Sequence, residues 1–221
     1  MPEAEPASIL LTGFAPFDGA ALNSSWEIAR ALDGVVLQGH RIAAAQLPVA
    51  FGDALELLFT QLRRQRPQLV LCLGLAGGRA AMAIERIGIN LIDAPIPDNQ
   101  GCQPVDVPVV PGGPAAYFTS LPVKRMLRAM RAAGVPVELS QSAGTYVCNQ
   151  VLYGLLHGLQ TLDGGCWHGV RCGFVHVPWL PGQGSPALPL EDMVRALRVA
   201  LLSALECDGC GGAAITAGAL H

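Results

Sequence analysis

Three residues far apart in this 221-residue chain, a cysteine, a histidine and a glutamate, stand in settings that suit acyl-transfer chemistry. Cys148 follows Ser142-Ala143-Gly144-Thr145-Tyr146-Val147, and the apolar positions Val147, Val151, Leu152, Leu155, Leu156 and Leu159 recur at helical spacing. The cysteine therefore falls in the first turn of an amphipathic helix. Unsatisfied N–H groups and the positive dipole end stabilise a thiolate there, which predicts a pKa well below the free value of about 8.5. An inert, buried core thiol is the competing reading of the same position.

His176 ends an apolar run and is followed by Pro178 and a Pro/Gly-rich stretch. A side chain so placed projects into the crevice beyond the carboxyl end of a strand. His40, His157, His168 and His221 have no such context. Glu85 interrupts an otherwise apolar strand, where an isolated charge is costly to desolvate and needs a partner. Together the three meet the requirements of a thiol hydrolase. Cys148 attacks a carbonyl, His176 takes the thiol proton and later protonates the leaving amine, and Glu85 orients the imidazole. The backbone N–H of Cys148, at a helix start, is placed to bind the developing oxyanion.

The elements that must position these groups alternate. Residues 8–12 read as a strand and 24–32 as a helix opened by Ser24; 41–47 is a strand, 51–65 a helix ending in arginines, and 68–73 a near-continuous apolar strand. Gly74-Leu75-Ala76-Gly77-Gly78-Arg79 is a glycine-rich turn, but residues 83–92 after it read as one strand, not the helix a dinucleotide site requires. The glycines suit close backbone approach to a small ligand or another strand, and a simple structural turn is an equal reading. Residues 93–114 form a long Pro/Gly/Asp-rich stretch, expected to be a functional loop or lid. A helix at 123–133, a strand at 135–139, the cysteine helix, a strand at 173–177 and a helix at 190–205 complete the chain. This order predicts a single-domain three-layer α/β/α sandwich with a mostly parallel sheet, with its core at about 8–206 and a flexible Gly/Ala-rich tail at 207–221.

Composition narrows the class. Half of the residues (51%) are hydrophobic and the formal charge is only −3, with scattered arginines and a single lysine, Lys124, so there is no electrostatic footprint for nucleic acid or an anionic membrane surface. No uninterrupted apolar run approaches the roughly 20 residues of a membrane helix, and the acidic N-terminus is unlike a secretory signal. A cytoplasmic protein is expected. Seven cysteines, an odd number at irregular spacing, fit a reducing compartment better than a disulfide framework. Cys207 and Cys210 form a lone CxxC without a second pair or suitably spaced histidines, so neither metal binding nor redox chemistry is expected there.

Seven ordered stretches, spanning about residues 10–205, resemble the pyroglutamyl peptidase type I family. They are Thr12-Gly13-Phe14-Ala15-Pro16-Phe17 with Asn23-Ser24-Ser25-Trp26-Glu27; Ala76-Gly77-Gly78-Arg79 with Glu85-Arg86; Ile96-Pro97-Asp98-Asn99; Ala143 to Asn149; and Gly173-Phe174-Val175-His176-Val177-Pro178. The resemblance places Cys148, His176 and Glu85 on the family's catalytic triad, Phe14 and Phe17 on its aromatic pocket and Asn23 near the lactam. It implies a cofactor-free cytoplasmic cysteine peptidase acting on peptides with N-terminal pyroglutamate, often as a homotetramer. Leu75 stands where the family commonly has Gln and Pro95 where it has Arg, while Ala15 and Asp18 replace a usual acid and glycine. A binding module without turnover and a thiol amidase for another small acyl group are the alternative readings.

Overall fold

The computed structural model describes residues 9–206. The predicted tail at 207–221, with Cys207 and Cys210, lies outside the described residues. In chain order the elements are β1 (Ile9–Phe14), α1 (Ser24–Leu32), β2 (Val36–Leu37), β3 (His40–Leu47), α2 (Asp53–Gln65), β4 (Leu69–Leu75), β5 (Met82–Glu85), β6 (Ile87–Ile89), β7 (Ala116–Phe118), α3 (Val123–Ala132), β8 (Val137–Ser140), α4 (Val147–Thr161), β9 (Arg171–Val177) and α5 (Leu190–Leu205).

Seven strands form one sheet in the order β2-β3-β1-β4-β9-β5-β8. Its centre, β3-β1-β4-β9, is parallel; β5 runs antiparallel to β9 and parallel to β8, and β2 closes the far edge antiparallel to β3. Because strand side chains alternate between faces, the near-continuous apolar runs of β1, β4 and β9 divide into two cores. Ile9, Leu11, Leu69, Leu71, Leu73, Val175 and Val177 join the core that holds α1, α3 and α5. Leu10, Phe14, Val70, Cys72, Cys172 and Phe174 join the opposite one, with α2 and α4. The result is a mostly parallel α/β/α sandwich.

The predicted strand at 83–92 is two strands in two sheets. β5 belongs to the main sheet, whereas β6 pairs antiparallel with β7 in a separate two-stranded sheet. Arg86 is the crossing point. Its N–H donates to Ser140 O at the end of β8, and its C=O accepts from Thr119 N just beyond β7. Gly88 then passes so close to α4 that an added Cβ would lie 3.0 Å from Tyr153 N. The break leaves Glu85 as the last residue of β5, fully buried and paired with Phe174.

Helix α1 begins where its side chains can cap it. Asn23 Oδ1 accepts from Ser25 N at 3.1 Å, a cap worth about 1 kcal/mol. Ser25 Oγ–H also donates to Asn23 Oδ1 at 2.7 Å, while its oxygen accepts from Phe14 N at 3.0 Å, locking the end of β1 to the helix start.

Candidate active site

Register brings the site together at the carboxyl end of β4 and β9. Gly74 on β4 is the partner of His176 on β9, and both continue the alternation that faces α4. A Cβ built on Gly74 would fall 2.8 Å from Cys148 Sγ and 2.8 Å from the Phe174 ring. The sulfur thus occupies the space that a side chain at position 74 would take, beside the imidazole. A glycine in a strand interior is a signal of such close approach, one that could single out Gly74 within its motif.

Glu85 reaches the histidine diagonally across the sheet. On antiparallel β5, Glu85 pairs with Phe174 and Ala83 with His176, so the carboxylate lies one diagonal step from the imidazole on the same face. Its Oε1 is 2.7 Å from His176 Nδ1. That contact commits Nδ1 and leaves Nε2 as the nitrogen free to exchange a proton. Phe174 packs against the ring, with centroids 4.8 Å apart. Glu85 is wholly buried, and the cation beside it is Arg79, whose Nη1 lies 3.7 Å from Oε1 and 3.9 Å from Glu138 Oε1. A buried carboxylate without such partners costs several kcal/mol. The sequence pairs Glu85 with His176 but gives no role to Arg79.

Cys148 is the second residue of α4, as expected, and is partly exposed. Its acidity runs opposite to expectation. Desolvation, then the Glu85 charge and Cys72, push the thiol up to about 12, and a hydrogen bond from its own backbone N–H only partly offsets them. The helix start still aims that N–H at the sulfur, but burial outweighs it. No hydrogen bond joins Cys148 to His176, and burial favours the protonated form of the thiol.

A narrow cleft of about 40 Å³ opens at the sulfur between Phe14, Phe17, Val49, Leu75, Tyr146 and Val147. These walls suit a small, flat, uncharged acyl group. The two predicted phenylalanines are there; Val49 and the ring of Tyr146 are additions that a sequence-local reading misses. Asn23 also lines the cleft, but both acceptor positions of its Oδ1 serve Ser25, and its Nδ2 donates to Ala15 O at 3.0 Å. It can offer a ligand one N–H at most.

The 93–114 segment is stitched to the rim of the cleft. Asp93 N donates to Thr145 O at 3.0 Å and Thr145 Oγ1 donates back to Asp93 O at 2.7 Å. Tyr146 OH donates to Pro97 O at 3.0 Å, and Asn99 Nδ2 donates to Pro16 O at 2.9 Å. Burial raises the Asp98 pKa, but N–H groups of Phe51, Cys102, Gln100 and Gly101 more than offset it and hold the carboxyl below its usual range. Pro95 is exposed in this segment. Among the described residues no group of three or more His, Cys, Asp or Glu is arranged to hold a metal ion, and no helix is long and apolar enough to cross a membrane.

Comparison with known proteins follows the same lines. A family model described as pyroglutamyl peptidase matches residues 7–207. The chain is 48% identical over 205 residues to a pyrrolidone-carboxylate peptidase of Klebsiella pneumoniae, covering 90% of this chain and 94% of the relative. It is 47% identical over 218 residues to that of Yersinia pestis, covering 96% and 99%. Among solved structures, pyroglutamyl peptidase I of Bacillus amyloliquefaciens superposes with a TM-score of 0.84 at 38% identity, covering 89% of this chain and 95% of that one. A variant pyrrolidone carboxyl peptidase of Pyrococcus furiosus gives a TM-score of 0.84 at 40% identity, covering 89% and 97%.

Proposed function

The chain belongs to the pyroglutamyl peptidase family of cysteine exopeptidases, and we propose that it hydrolyses the amide bond after an N-terminal pyroglutamyl residue with Cys148 as nucleophile, His176 as base and acid, and Glu85 as the group that orients the imidazole. The observation that carries the assignment is the Cys148 sulfur lying over Gly74, the register partner of His176.

The steps follow from the geometry. With the lactam ring between Phe14, Phe17 and Tyr146, the pyroglutamyl carbonyl carbon meets Sγ. Because the resting thiol is held protonated, attack is coupled to transfer of its proton to His176 Nε2. The S–C bond forms, and the carbonyl oxygen takes the negative charge beside the Cys148 N–H. The imidazolium, stabilised by Glu85, then gives its proton to the departing nitrogen as the C–N bond breaks. Water enters, loses a proton to His176 and attacks the thioester. The C–S bond breaks and the sulfur recovers the proton, releasing pyroglutamate.

The ring is uncharged, and the six cleft walls carry no carboxylate to hold a free α-amine. This supports selection of the cyclised N-terminus over an ordinary one. Family membership also supports assembly as a homotetramer in the cytoplasm, which sedimentation of the purified chain and fractionation of its native cells test. The central test is release of an amine reporter from a pyroglutamyl amide. Wild type is expected to release it with or without a metal chelator, and Cys148→Ser to release none; full activity in the serine variant would reject the nucleophile.

A further inference from the structure

Next to the acyl cleft, and sharing Leu75 with it, lies a second groove of about 460 Å³. Its apolar walls are Leu22, Leu75, Trp179, Leu180 and Pro181, and Gln183 is the polar side chain on its rim. None of the lining residues is charged.

The walls are fixed before any ligand arrives. The Trp179 indole is packed against Gly77 and against Gly184, where a Cβ on either glycine would strike the ring. Gln183 Oε1 accepts from Leu180 N at 2.9 Å and its Nε2 donates to Leu22 O at 3.0 Å, joining the segment before α1 to the segment after β9. Ser24 Oγ, on the first residue of α1, donates to Pro178 O at 2.8 Å, a second tie to the segment after β9. Preformed walls of this kind bind without a large ordering cost.

Because it adjoins the acyl cleft at Leu75, the groove is within reach of the leaving group. With the acyl ring in the cleft, the departing nitrogen has to face His176 to receive its proton. Leu75, next to Gly74 at the end of β4, and Trp179, three residues beyond His176, both wall the groove, so the ends of these two strands lead into it. Resting on the hydrolysis proposed above, we infer that this groove takes the side chain of the residue after pyroglutamate and selects an apolar or aromatic one. A charged side chain there loses hydration without finding a partner.

The experiment measures kcat/KM of the full chain for pyroglutamyl-Leu, -Phe, -Gly and -Asp amides. Leu and Phe are expected to exceed Gly and Asp by about tenfold or more, the discrimination an apolar pocket supplies. Trp179→Ala should collapse the Leu-to-Gly ratio toward one. Leu22→Glu, at a rim position 38% exposed and so compatible with folding, should do the same and raise turnover of an Arg amide relative to Leu. Equal kcat/KM for all four amides, or an unchanged Leu-to-Gly ratio in both variants, would overturn the groove assignment while leaving the hydrolysis standing. Failure to turn over any of them would overturn the hydrolysis, and this inference with it.

Discussion

Cys148 and Cys72 face the same side of the same sheet, and the contrast between them shows what makes a thiol a nucleophile here. Cys72 lies two residues before Gly74 on β4, inside the core formed with α4, and is fully buried. Cys148 stands one step nearer the rim, over Gly74, partly exposed at the acyl cleft. Burial pushes both thiols up to about 12. Acidity therefore does not separate them. What separates them is the imidazole register partner beside one sulfur and an opening large enough for an acyl group.

The sharpest way to break this contrast is to remove the base. His176→Ala should lower kcat by about 10³-fold or more, and Glu85→Gln by roughly 10²–10⁴-fold, because the amide fills the same space but does not stabilise the imidazolium. Cys72→Ala should leave kcat close to wild type and cost on the order of 1 kcal/mol of stability instead. Steady-state kinetics with denaturant unfolding reads all three, and a large kcat loss in Cys72→Ala would abolish the distinction.

A smaller effect is expected at Gly74. Gly74→Ala places a methyl group 2.8 Å from the resting sulfur and must displace it, so kcat should fall by about 10–100-fold in a protein that still folds. An unchanged kcat would show that the sulfur does not depend on that space.

Alkylation compares the thiols without substrate. Iodoacetamide should modify Cys148 in the folded protein and spare Cys72, and the rate should climb through pH 9 without a plateau, because the Cys148 thiol titrates only near about 12. A plateau in the acidic range would reveal a resting thiolate and contradict the raised pKa.

A further effect is on stability at high pH. Cys72 and Cys148 have folded-state pKa values raised from 9.0 to about 12, so the folded state holds these protons more tightly than the unfolded chain. Their contribution is fully present below pH 9 and is lost as pH rises toward 12, because the unfolded chain ionises first. Tm should decline across that window, and less steeply in Cys72→Ala; an identical slope would show that Cys72 does not contribute.

Much of the site could be read from residue order, for local physical reasons. Helix α1 spans the predicted residues because Asn23 caps it within its own turn, accepting from Ser25 N. Cys148, His176 and Glu85 stand out because each is an oddity in an apolar element, and apolar alternation decides which face each one uses. Where nonlocal contacts decide the outcome, the local reading fails. The split at Arg86 depends on Ser140 and Thr119, more than 30 residues away in sequence, and the short β7 gains its status only by pairing with β6. The lowered thiol pKa inferred from the helix start neglects the desolvation that sheet, helix and Phe174 impose together. Arg79, Val49 and Tyr146 become parts of the site only once distant segments fold over one another.

The most direct measurement of the central claim is to quench the reaction during turnover of a pyroglutamyl amide and map the acylated peptide by mass spectrometry. One pyroglutamyl group is expected, carried as a thioester on Cys148 and absent from Cys148→Ser. An acyl group found on another residue, or undiminished turnover by the serine variant, would contradict it.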